Sequence, residues 1–512
     1  MSRNTKNLAE QATADNFDCL GTCSERSLLR NGLYNIGGQT VRSLVSLLTI
    51  PLLVRFLGIR EYGIWSLAYA AFMLMTVGNG GMAVAATVFL PKDLHRDDQS
   101  EAAGTLSFIV GSAGALGIVL GLLLWFLGPV VVGSLTAFGP AERIEAAQAL
   151  QIAGLGISLL ILHRTLMGVE QAFDRYAAAN IFQVLQSVLA NGGLVLVAWF
   201  GGRAVAMMKW QVIAYVSLLA GHGWFISSLV RARHLRIRWN AARARKILKF
   251  SLATWASILG SDLFSQGSRW IVGAVLGAPV LGVYSAITNM TLKINSFSGM
   301  ATQPLAPSLS REAVKNASAE SRVRQAAHLN ALIAVGGGIF FFVLADWVMR
   351  VMVVGASGTQ DVIALQIAAI IFALYSIEAP GYFILFSAGD ARTNFIVVLS
   401  SAIVALGLIF LGGWRFGLLG AIEGNAAYLG TLLLIPMGLH KIHLSFRRYL
   451  GWITFPLLTL ATAILVGLVL KDHFWWRAAF VAAAGCSLAF WFIREHNGFA
   501  WLRPSLQRLA QD

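Results

Sequence analysis

The sequence predicts an all-α membrane protein with about fourteen transmembrane helices. Three observations predict this fold class. Of the 512 residues, 57% are hydrophobic and only 12% are charged, whereas a soluble protein carries about 25% charged residues. Apolar runs long enough to span a bilayer recur along the chain, and basic residues collect in alternate connecting segments. Most of the outer surface is therefore expected to face lipid.

A spanning helix needs about 20 apolar residues to cross about 30 Å of hydrocarbon. The spans predicted on this basis are 33–56, 64–90, 104–132, 147–169, 177–199, 205–230, 250–275, 284–307, 326–353, 362–388, 394–411, 418–439, 451–470 and 478–493. The last span is the shortest, and Trp475, Trp476 and Trp491 flank it, as suits the membrane interface. Fourteen spans are favoured over the alternative counts of twelve and thirteen.

The basic residues predict the orientation of these spans. With the N-terminus inside, the inner segments hold 26 lysines and arginines and the outer segments hold 6. This bias predicts a protein of the bacterial inner membrane with both termini in the cytoplasm. It also explains the net charge of +15 without nucleic-acid binding. Residues 1–29 contain no apolar core of a signal peptide, so the first span is expected to remain in the membrane.

Two turns show an internal repeat. Residues 57–67 (LGIREYGIWSL) and 276–286 (LGAPVLGVYSA) share a glycine-rich pattern at an offset of 219. A weaker pair, AFDR at 172–175 and GDAR at 389–392, has an offset of 217. Six spans per repeat is an even number, so the two halves have the same orientation and their pseudo-twofold axis follows the membrane normal. Two such bundles can rock about a central cavity.

The repeat predicts the organisation of the chain. The units are a cytoplasmic N-terminal tail (1–29), an N-terminal six-helix bundle (30–230), a basic cytoplasmic linker (231–249), a C-terminal six-helix bundle (250–440), two additional helices (441–493) and a cytoplasmic tail (494–512). The linker holds eight basic residues. It is interpreted as a topology-setting segment, with docking to anionic lipid headgroups as the alternative.

Ionisable groups within spans predict the functional site, because each costs several kcal/mol in hydrocarbon unless it faces a cavity or a partner. The candidate cavity cations are Arg42, Arg164, Arg269 and Lys293. The candidates for charge pairing or ion coupling are Asp262, Glu378, His163 and Glu423.

Arg42 and Asp262 lie at near-equivalent depths in the two repeats, which leaves two interpretations open. They form a structural ion pair between the halves, or Arg42 faces an anionic substrate that Asp262 exchanges with. Lys293 corresponds to Leu74 in the first repeat, so no charged counterpart matches it, which favours a water-filled cavity.

Glu378 precedes Pro380 and Gly381, which predicts a kinked helix. A carboxylate at a kink could couple proton or cation binding to bending. A neutral glutamic acid that caps the kink is an equal alternative.

The chain shows no catalytic motif, and each predicted outer segment has at most about fourteen residues, too few for a catalytic domain. Its three cysteines suggest neither a disulfide framework nor a metal site. The sequence therefore predicts a transporter rather than an enzyme.

Three stretches carry a family resemblance. The first runs from Asn35-Ile-Gly-Gly38 through SLLTIPLLVRFLGIREYGIWSLAYA to GNGGMAVA at 78–85. The others are VLGAPVLGVYSAITNM, ending in QPLAPSLSRE at 303–312, and WRFGLLGAIEGNAAY at 414–428. The chain resembles the polysaccharide transporter, or Wzx-type oligosaccharide flippase, family of the multidrug/oligosaccharidyl-lipid/polysaccharide superfamily.

The resemblance covers residues 30–440 in topology and implies two six-helix bundles in a V around a cationic cavity. It implies movement of a polyprenyl-diphosphate-linked oligosaccharide, such as an O-antigen, exopolysaccharide or capsule repeat unit, from the cytoplasmic to the periplasmic leaflet. No cofactor and no metal belong to this pattern. The expected partners are membrane lipids, a coupling H⁺ or Na⁺ and other polysaccharide-assembly proteins.

Three alternatives stay open at this stage. A peptidoglycan-precursor flippase also has fourteen spans. A drug or cation antiporter of the superfamily usually has twelve spans and an acid-rich cavity. A membrane glycan polymerase belongs to the same pathway but needs a large periplasmic loop, which this sequence lacks.

Overall fold

The computed structural model describes residues 42, 45–79, 81–95, 99–232, 241–310, 316–352, 358–470 and 473–496. The predicted N-terminal tail at 1–29, residues 233–240 of the linker and residues 497–512 of the predicted C-terminal tail (494–512) lie outside these residues. The described parts are helical throughout, with no strand among them. Ten of their helices are long and apolar enough to cross a membrane. The predicted all-α membrane class is confirmed, and the count of fourteen spans stays a prediction.

The helices are numbered in chain order. They are α1 (Val45–Leu57), α2 (Ile59–Thr76), α3 (Met82–His95), α4 (Gln99–Gly133), α5 (Pro140–Ala172), α6 (Tyr176–Gln186), α7 (Gly193–Trp199), α8 (Ala204–Ala232), α9 (Ala241–Thr302), α10 (Leu305–Ser310), α11 (Asn316–Val343), α12 (Ala345–Met352), α13 (Thr359–Ser376), α14 (Ala379–Ser387), α15 (Ala391–Gly424), α16 (Leu434–Lys441), α17 (Phe446–Val469) and α18 (Phe474–Glu495). A π-helical turn (Ser187–Gly192) joins α6 to α7, and a 3₁₀ segment (Asn425–Leu433) joins α15 to α16.

These helices pack as two groups. In the first half α5 lies against α2, α3, α4 and α8, and in the second half α9 packs on α15 and α11 on α13. The helices α17 and α18 attach to the second group through α11. The outer faces are apolar: α4 exposes Val119, Leu122, Phe126 and Val130. Such a face is stable only against lipid, so this is a multi-pass membrane protein.

The predicted repeat at an offset of 219 is visible in the backbone. Gly58 has φ 80° and Gly277 has φ 79°, and each bends the chain between two helical segments. Glycine populates this left-handed region at no steric cost because it lacks a Cβ atom. The bend at Gly277 divides α9 into the two segments that the sequence predicts as separate spans, 250–275 and 284–307.

The two repeats meet face to face at these turns. The hydroxyl groups of Ser66 and Ser285, which are equivalent residues, lie 2.7 Å apart. A Cβ atom at Gly63 would overlap the carbonyl oxygen of Ala278, and one at Gly282 would overlap that of Ile59. Since Gly63 and Gly282 are equivalent, as are Ile59 and Ala278, the contact is the same from both sides. This is the geometry of a pseudo-twofold axis.

The second pair of turns needs a correction. Asp174 (φ 58°) and Gly389 (φ 75°) occupy the same left-handed position, at an offset of 215 rather than 217. The amide of the next residue closes both turns: Arg175 N donates to Glu170 O at 2.9 Å, and Asp390 N donates to Leu385 O at 3.0 Å. Four similar letters were too short a match to fix the register. The corrected offset places Glu378 at the position of His163.

Asp390 begins α15 as its N-cap and accepts a hydrogen bond from Thr393 N. Its carboxylate also contacts the Lys441 ammonium group at 2.8 Å. The hydrogen bonds from Lys441 and from Thr393 lower the pKa of the Asp390 carboxyl group to about 2. This carboxylate therefore stays charged and ties the start of α15 to the end of α16.

Candidate substrate cavity

A cavity of about 330 Å³ lies between the two halves. Its wall comes from α1, α2, the π-turn with the adjoining part of α6, α8 and the second segment of α9. The lining residues are Arg42, Ser46, Tyr69, Gln183, Gln186, Ser187, Ala190, Asn191, Gln211, Tyr215, Lys293, Ser296 and Met300. All except Ala190 and Met300 carry polar side chains. In a membrane span, such a polar wall indicates a site for water or a polar ligand.

The π-turn shapes one side of this wall. Trp210 Nε1 donates to the Leu189 carbonyl oxygen at 2.8 Å, which satisfies a carbonyl group in the widened turn. Within the turn, Asn191 Nδ2 donates to Ser187 Oγ at 3.4 Å. Turns of this type inside helices are common at functional sites. Here the turn brings two polar side chains of a charge-free span to the cavity.

Arg269 is 4% exposed, and its recorded partners are neutral. Its guanidinium donates to Gln266 Oε1 at 3.1 Å and to Asn289 Oδ1 at 2.5 Å. Asn289 Nδ2 in turn donates to Tyr62 OH at 3.0 Å. Across the described residues, no carboxylate lies at ion-pair distance from Arg269. A buried cation held only by neutral groups retains its full charge for an anion.

Lys293 projects into the cavity two helical turns beyond Ser285. It makes no hydrogen bond or ion pair with any described residue, and it interacts electrostatically with Arg269. Two like charges in one low-dielectric region repel each other unless an anion lies between them. The side chains of Lys293 and Arg269 therefore form part of an anion-binding site.

Arg164 lies at the back of the same region. Its Nη1 donates to Thr76 Oγ1 at 3.0 Å and its Nη2 to Met73 Sδ at 3.7 Å. Tyr69, which lines the cavity, interacts electrostatically with both Arg164 and Arg269. Asp262 interacts electrostatically with Arg164. The predicted pairing of Asp262 with Arg42 stays a prediction.

The structure thus brings all four predicted cations to one region. Arg42 and Lys293 line the cavity, and Tyr69 of its wall interacts electrostatically with Arg164 and Arg269. Both halves therefore contribute positively charged side chains to this region.

The other predicted residues lie elsewhere. His163 is buried behind the cavity wall, beside Tyr215. Glu378 is buried in the second bundle where α13 ends and α14 begins, which confirms the predicted break in this helix. Glu423 is exposed on the outside of α15 and does not join the others.

Sequence reasoning missed two buried groups beside His163. His222 and Glu170 are both 0% exposed. Glu170 contacts His222, and His222 in turn contacts His163. His222 lies well within the predicted sixth span, which was a usable signal. Glu170 lies one residue beyond the predicted fourth span (147–169) and so falls in a predicted inner connecting segment.

The fold and the cavity define the class: a multi-pass membrane protein whose two helical bundles enclose a polar cavity. The structure is similar to the Lipid II flippase MurJ in an inward closed conformation, with a TM-score of 0.70 and 13% identity over 90% of this chain and 99% of that one. It is also similar to a multidrug resistance MATE family transporter in an inward-facing conformation, with a TM-score of 0.65 and 14% identity over 81% of this chain and 95% of that one.

The chain belongs to the family described as polysaccharide biosynthesis protein, whose family model matches residues 28–312. It is 18% identical over 286 residues to a putative O-antigen transporter of Shigella flexneri, covering 56% of this chain and 67% of the relative. It is 22% identical over 457 residues to the stage V sporulation protein B of Bacillus subtilis (strain 168), covering 82% and 84%. The predicted family is confirmed.

Proposed function

We propose that this protein is a flippase that moves a polyprenyl-diphosphate-linked oligosaccharide from the cytoplasmic to the periplasmic leaflet by alternating access. The observation that carries the proposal is that Arg42 and Lys293, one from each half, line one polar cavity, and that Arg164 and Arg269 interact electrostatically with the wall residues Tyr69 and Lys293. A diphosphate is the part of such a lipid that needs cations. Arginine suits it because its planar guanidinium binds phosphate oxygens in a bidentate manner.

The rest of the wall suits the sugar. Four amide side chains, Gln183, Gln186, Asn191 and Gln211, face the cavity, and each offers both a donor and an acceptor to hydroxyl groups. The polyprenyl tail needs no polar cavity, because it remains in the hydrocarbon. A charged headgroup in a wet chamber and a tail in lipid together avoid the cost of burying charge in the bilayer.

The closed side of the cavity supports alternating access. The contacts of Ser66 with Ser285, and of Gly63 with Ala278, lie at the end that the sequence predicts as periplasmic. Tyr69 and Lys293, which line the cavity, lie further toward the predicted cytoplasmic side. In this state the cavity serves substrate from the cytoplasm, and the glycine contacts must separate before release.

Reconstituted vesicles test the proposal. A polyprenyl-diphosphate oligosaccharide is placed in both leaflets, and the fraction of sugar that a membrane-impermeant periodate reagent oxidises is followed with time. Wild-type protein is expected to make nearly all of the sugar accessible, whereas Arg269→Gln is expected to slow this at least about tenfold, a loss of 1.4 kcal/mol in the transition state.

Arg350→Gln is the matched control, because the Arg350 side chain is 75% exposed and far from the cavity in sequence and in its contacts. It is expected to behave like wild type. If wild-type protein leaves half of the sugar protected, the flippase proposal is wrong. An excess of a peptidoglycan precursor as competitor distinguishes the second flippase class, since only a shared site is blocked by it.

A further inference from the structure

Three buried titratable side chains form a continuous hydrogen-bonded chain in the first bundle. Glu170 Oε1 lies 2.6 Å from His222 Nδ1, and His222 Nε2 lies 2.9 Å from His163 Nδ1. All three side chains are 0% exposed. Ionisable groups buried at membrane depth are costly, so they point to function. The known cationic cavity does not account for this chain.

The hydrogen bonds among Glu170, His222 and His163 fix which nitrogen atoms carry protons. If both imidazoles are neutral, His222 donates from Nδ1 to the Glu170 carboxylate and His163 donates from Nδ1 to His222 Nε2. His163 Nε2 is then a bare acceptor, and it is buried with no hydrogen-bond partner among the described residues. The chain carries one negative charge in this state and none after it gains one proton. Its net charge therefore depends on a single proton.

The hydrogen-bonded chain of Glu170, His222 and His163 runs from the end of α5 to the cavity wall. Glu170 lies two residues before the end of α5, on the predicted cytoplasmic side. At the other end, the His163 ring lies 5.7 Å from that of Tyr215, whose hydroxyl group accepts a 3.1 Å hydrogen bond from Gln186. Tyr215 and Gln186 both line the cavity. The chain therefore joins the inner end of the bundle to the proposed substrate site.

The surroundings of the chain contain few other charges. From α5, Arg164 interacts electrostatically with His163, and from α8, Tyr215 packs beside it. From α6, the Phe182 ring stacks on His222 at 3.9 Å between centroids. No charged side chain of α2, α3 or α4 takes part in the contacts of the three residues, as far as the described ranges extend. The proton of the hydrogen-bonded chain is thus influenced by burial, by the Gln186 side chain of α6, by Arg164 and by whatever fills the cavity.

The repeat adds an independent observation. At the corrected offset of 215, Glu378 occupies in the second half the position that His163 occupies in the first. Glu378 is also buried, and its Oε2 atom has no hydrogen-bond partner among the described residues. Both halves therefore place a proton-binding group at the same point of the repeat.

We propose that Glu170, His222 and His163 form a proton-binding site that exchanges one proton with solution when an anionic headgroup enters the cavity. A proton that joins His163 Nε2 is balanced by transfer of the Nδ1 proton of His163 to His222 Nε2, and of the Nδ1 proton of His222 to Glu170. Both imidazoles end neutral and the carboxyl group is protonated. Because the two binding equilibria are linked, binding of the proton also changes the affinity of the cavity for the anion.

The coupling rests on the proposed function, and calorimetry separates the two. Undecaprenyl diphosphate is titrated into the protein in nanodiscs, in buffers of different ionisation enthalpy, which counts the protons exchanged per ligand bound. Wild type is expected to take up or release about one proton per lipid bound. His222→Gln and Glu170→Gln are expected to bind the lipid and to exchange no proton.

His328→Gln is the matched control, because His328 is also buried and hydrogen-bonded to another histidine, His496, at 3.2 Å, but in the second half. It is expected to exchange protons as wild type does. Binding by wild type without proton exchange, or exchange that persists in both variants, overturns the proton site alone. Failure of wild type to bind undecaprenyl diphosphate overturns the proposed function and the coupling together.

Discussion

Ser66 and Ser285, 219 residues apart in the chain, hydrogen-bond to each other at 2.7 Å on the axis that relates the two halves. Each occupies the same place in its own repeat, so the contact is between equivalent atoms. Such a contact exists only while the two bundles are closed at this end. The pair therefore reports directly on the conformational state of the transporter.

Cysteine substitution at this pair is expected to lock the protein. In a background with Cys19, Cys23 and Cys486 changed to alanine, Ser66→Cys with Ser285→Cys places the two thiols near disulfide distance. Oxidation is expected to stop lipid flipping in vesicles, and dithiothreitol is expected to restore it. Each single-cysteine protein is the control and should be insensitive to oxidation. Full flipping by the cross-linked protein would show that this end does not open during transport.

Gly63→Ala is expected to destabilise the closed state. The new Cβ atom would overlap the Ala278 carbonyl oxygen, which is backbone and cannot turn away. Overpacking of this kind costs about 1–3 kcal/mol. The measurement is the thermal unfolding midpoint in detergent, which should fall.

Gly111→Ala is the control for that experiment, because nothing lies within 4 Å of a Cβ atom at Gly111. Alanine is the better helix former by about 1 kcal/mol, so its midpoint should stay unchanged or rise. Equal behaviour of the two variants would mean that the halves are not in contact at Gly63.

Lys293→Met is expected to weaken binding of a polyprenyl diphosphate by at least about tenfold, since 1.4 kcal/mol corresponds to a factor of ten. The physical reason is that Lys293 has no carboxylate partner among the described residues and interacts with Arg269. A bound anion therefore pairs directly with the lysine charge. Binding is measured by calorimetry in nanodiscs. Lys293→Arg keeps the charge and should retain most of the affinity. An unchanged affinity of Lys293→Met would exclude this lysine from the anion site.

Asp346→Asn is expected to lower stability by about 3 kcal/mol, because it removes the carboxylate charge that faces the buried Arg477 guanidinium, which also donates to the Val343 carbonyl oxygen. The Asp346 carboxylate lies 2.7 Å from the guanidinium of Arg477, whose side chain is 3% exposed. This pair fastens α18 to α12. Unfolding in detergent measures the loss.

The same carboxylate lies 3.6 Å from Arg350, whose side chain is 75% exposed. Exposed pairs contribute about 0–1 kcal/mol, so Arg350→Gln should leave stability almost unchanged. A larger effect from Arg350→Gln than from Asp346→Asn would reverse the assignment of the stabilising pair.

The repeat around Gly58 and Gly277 was predictable because it depends on local chemistry. A left-handed turn requires glycine, and a close helix crossing requires another glycine five residues later, so the requirement is written as a pattern of letters. The four cations were also predictable, since a charge in an apolar span is rare enough to be noticed. Hydropathy and charge bias in the same way predicted the membrane class, whereas the family resemblance depends on three short motif stretches.

The register of the second turn and the role of Glu170 could not be predicted in this way. The turn at Asp174 and Gly389 depends on backbone dihedral angles that two different residue types adopt. Glu170 lies at a predicted helix end, where a carboxylate normally faces water. Its burial depends on α8, which approaches from another part of the chain with His222. Glu423, in contrast, was noticed as a charge in a span, although the helix turns it outward.

The sequence by itself determined that the chain crosses the membrane many times, that its two halves repeat, and that positive charges lie within the bilayer. These properties depend on composition and on short-range pattern, which each segment carries alone. Only the tertiary structure decided which polar groups meet, since His222 contacts both Glu170 and His163 through helix packing. Such pairings depend on how far each helix is rotated about its axis, and this is fixed by contacts between residues remote in the chain.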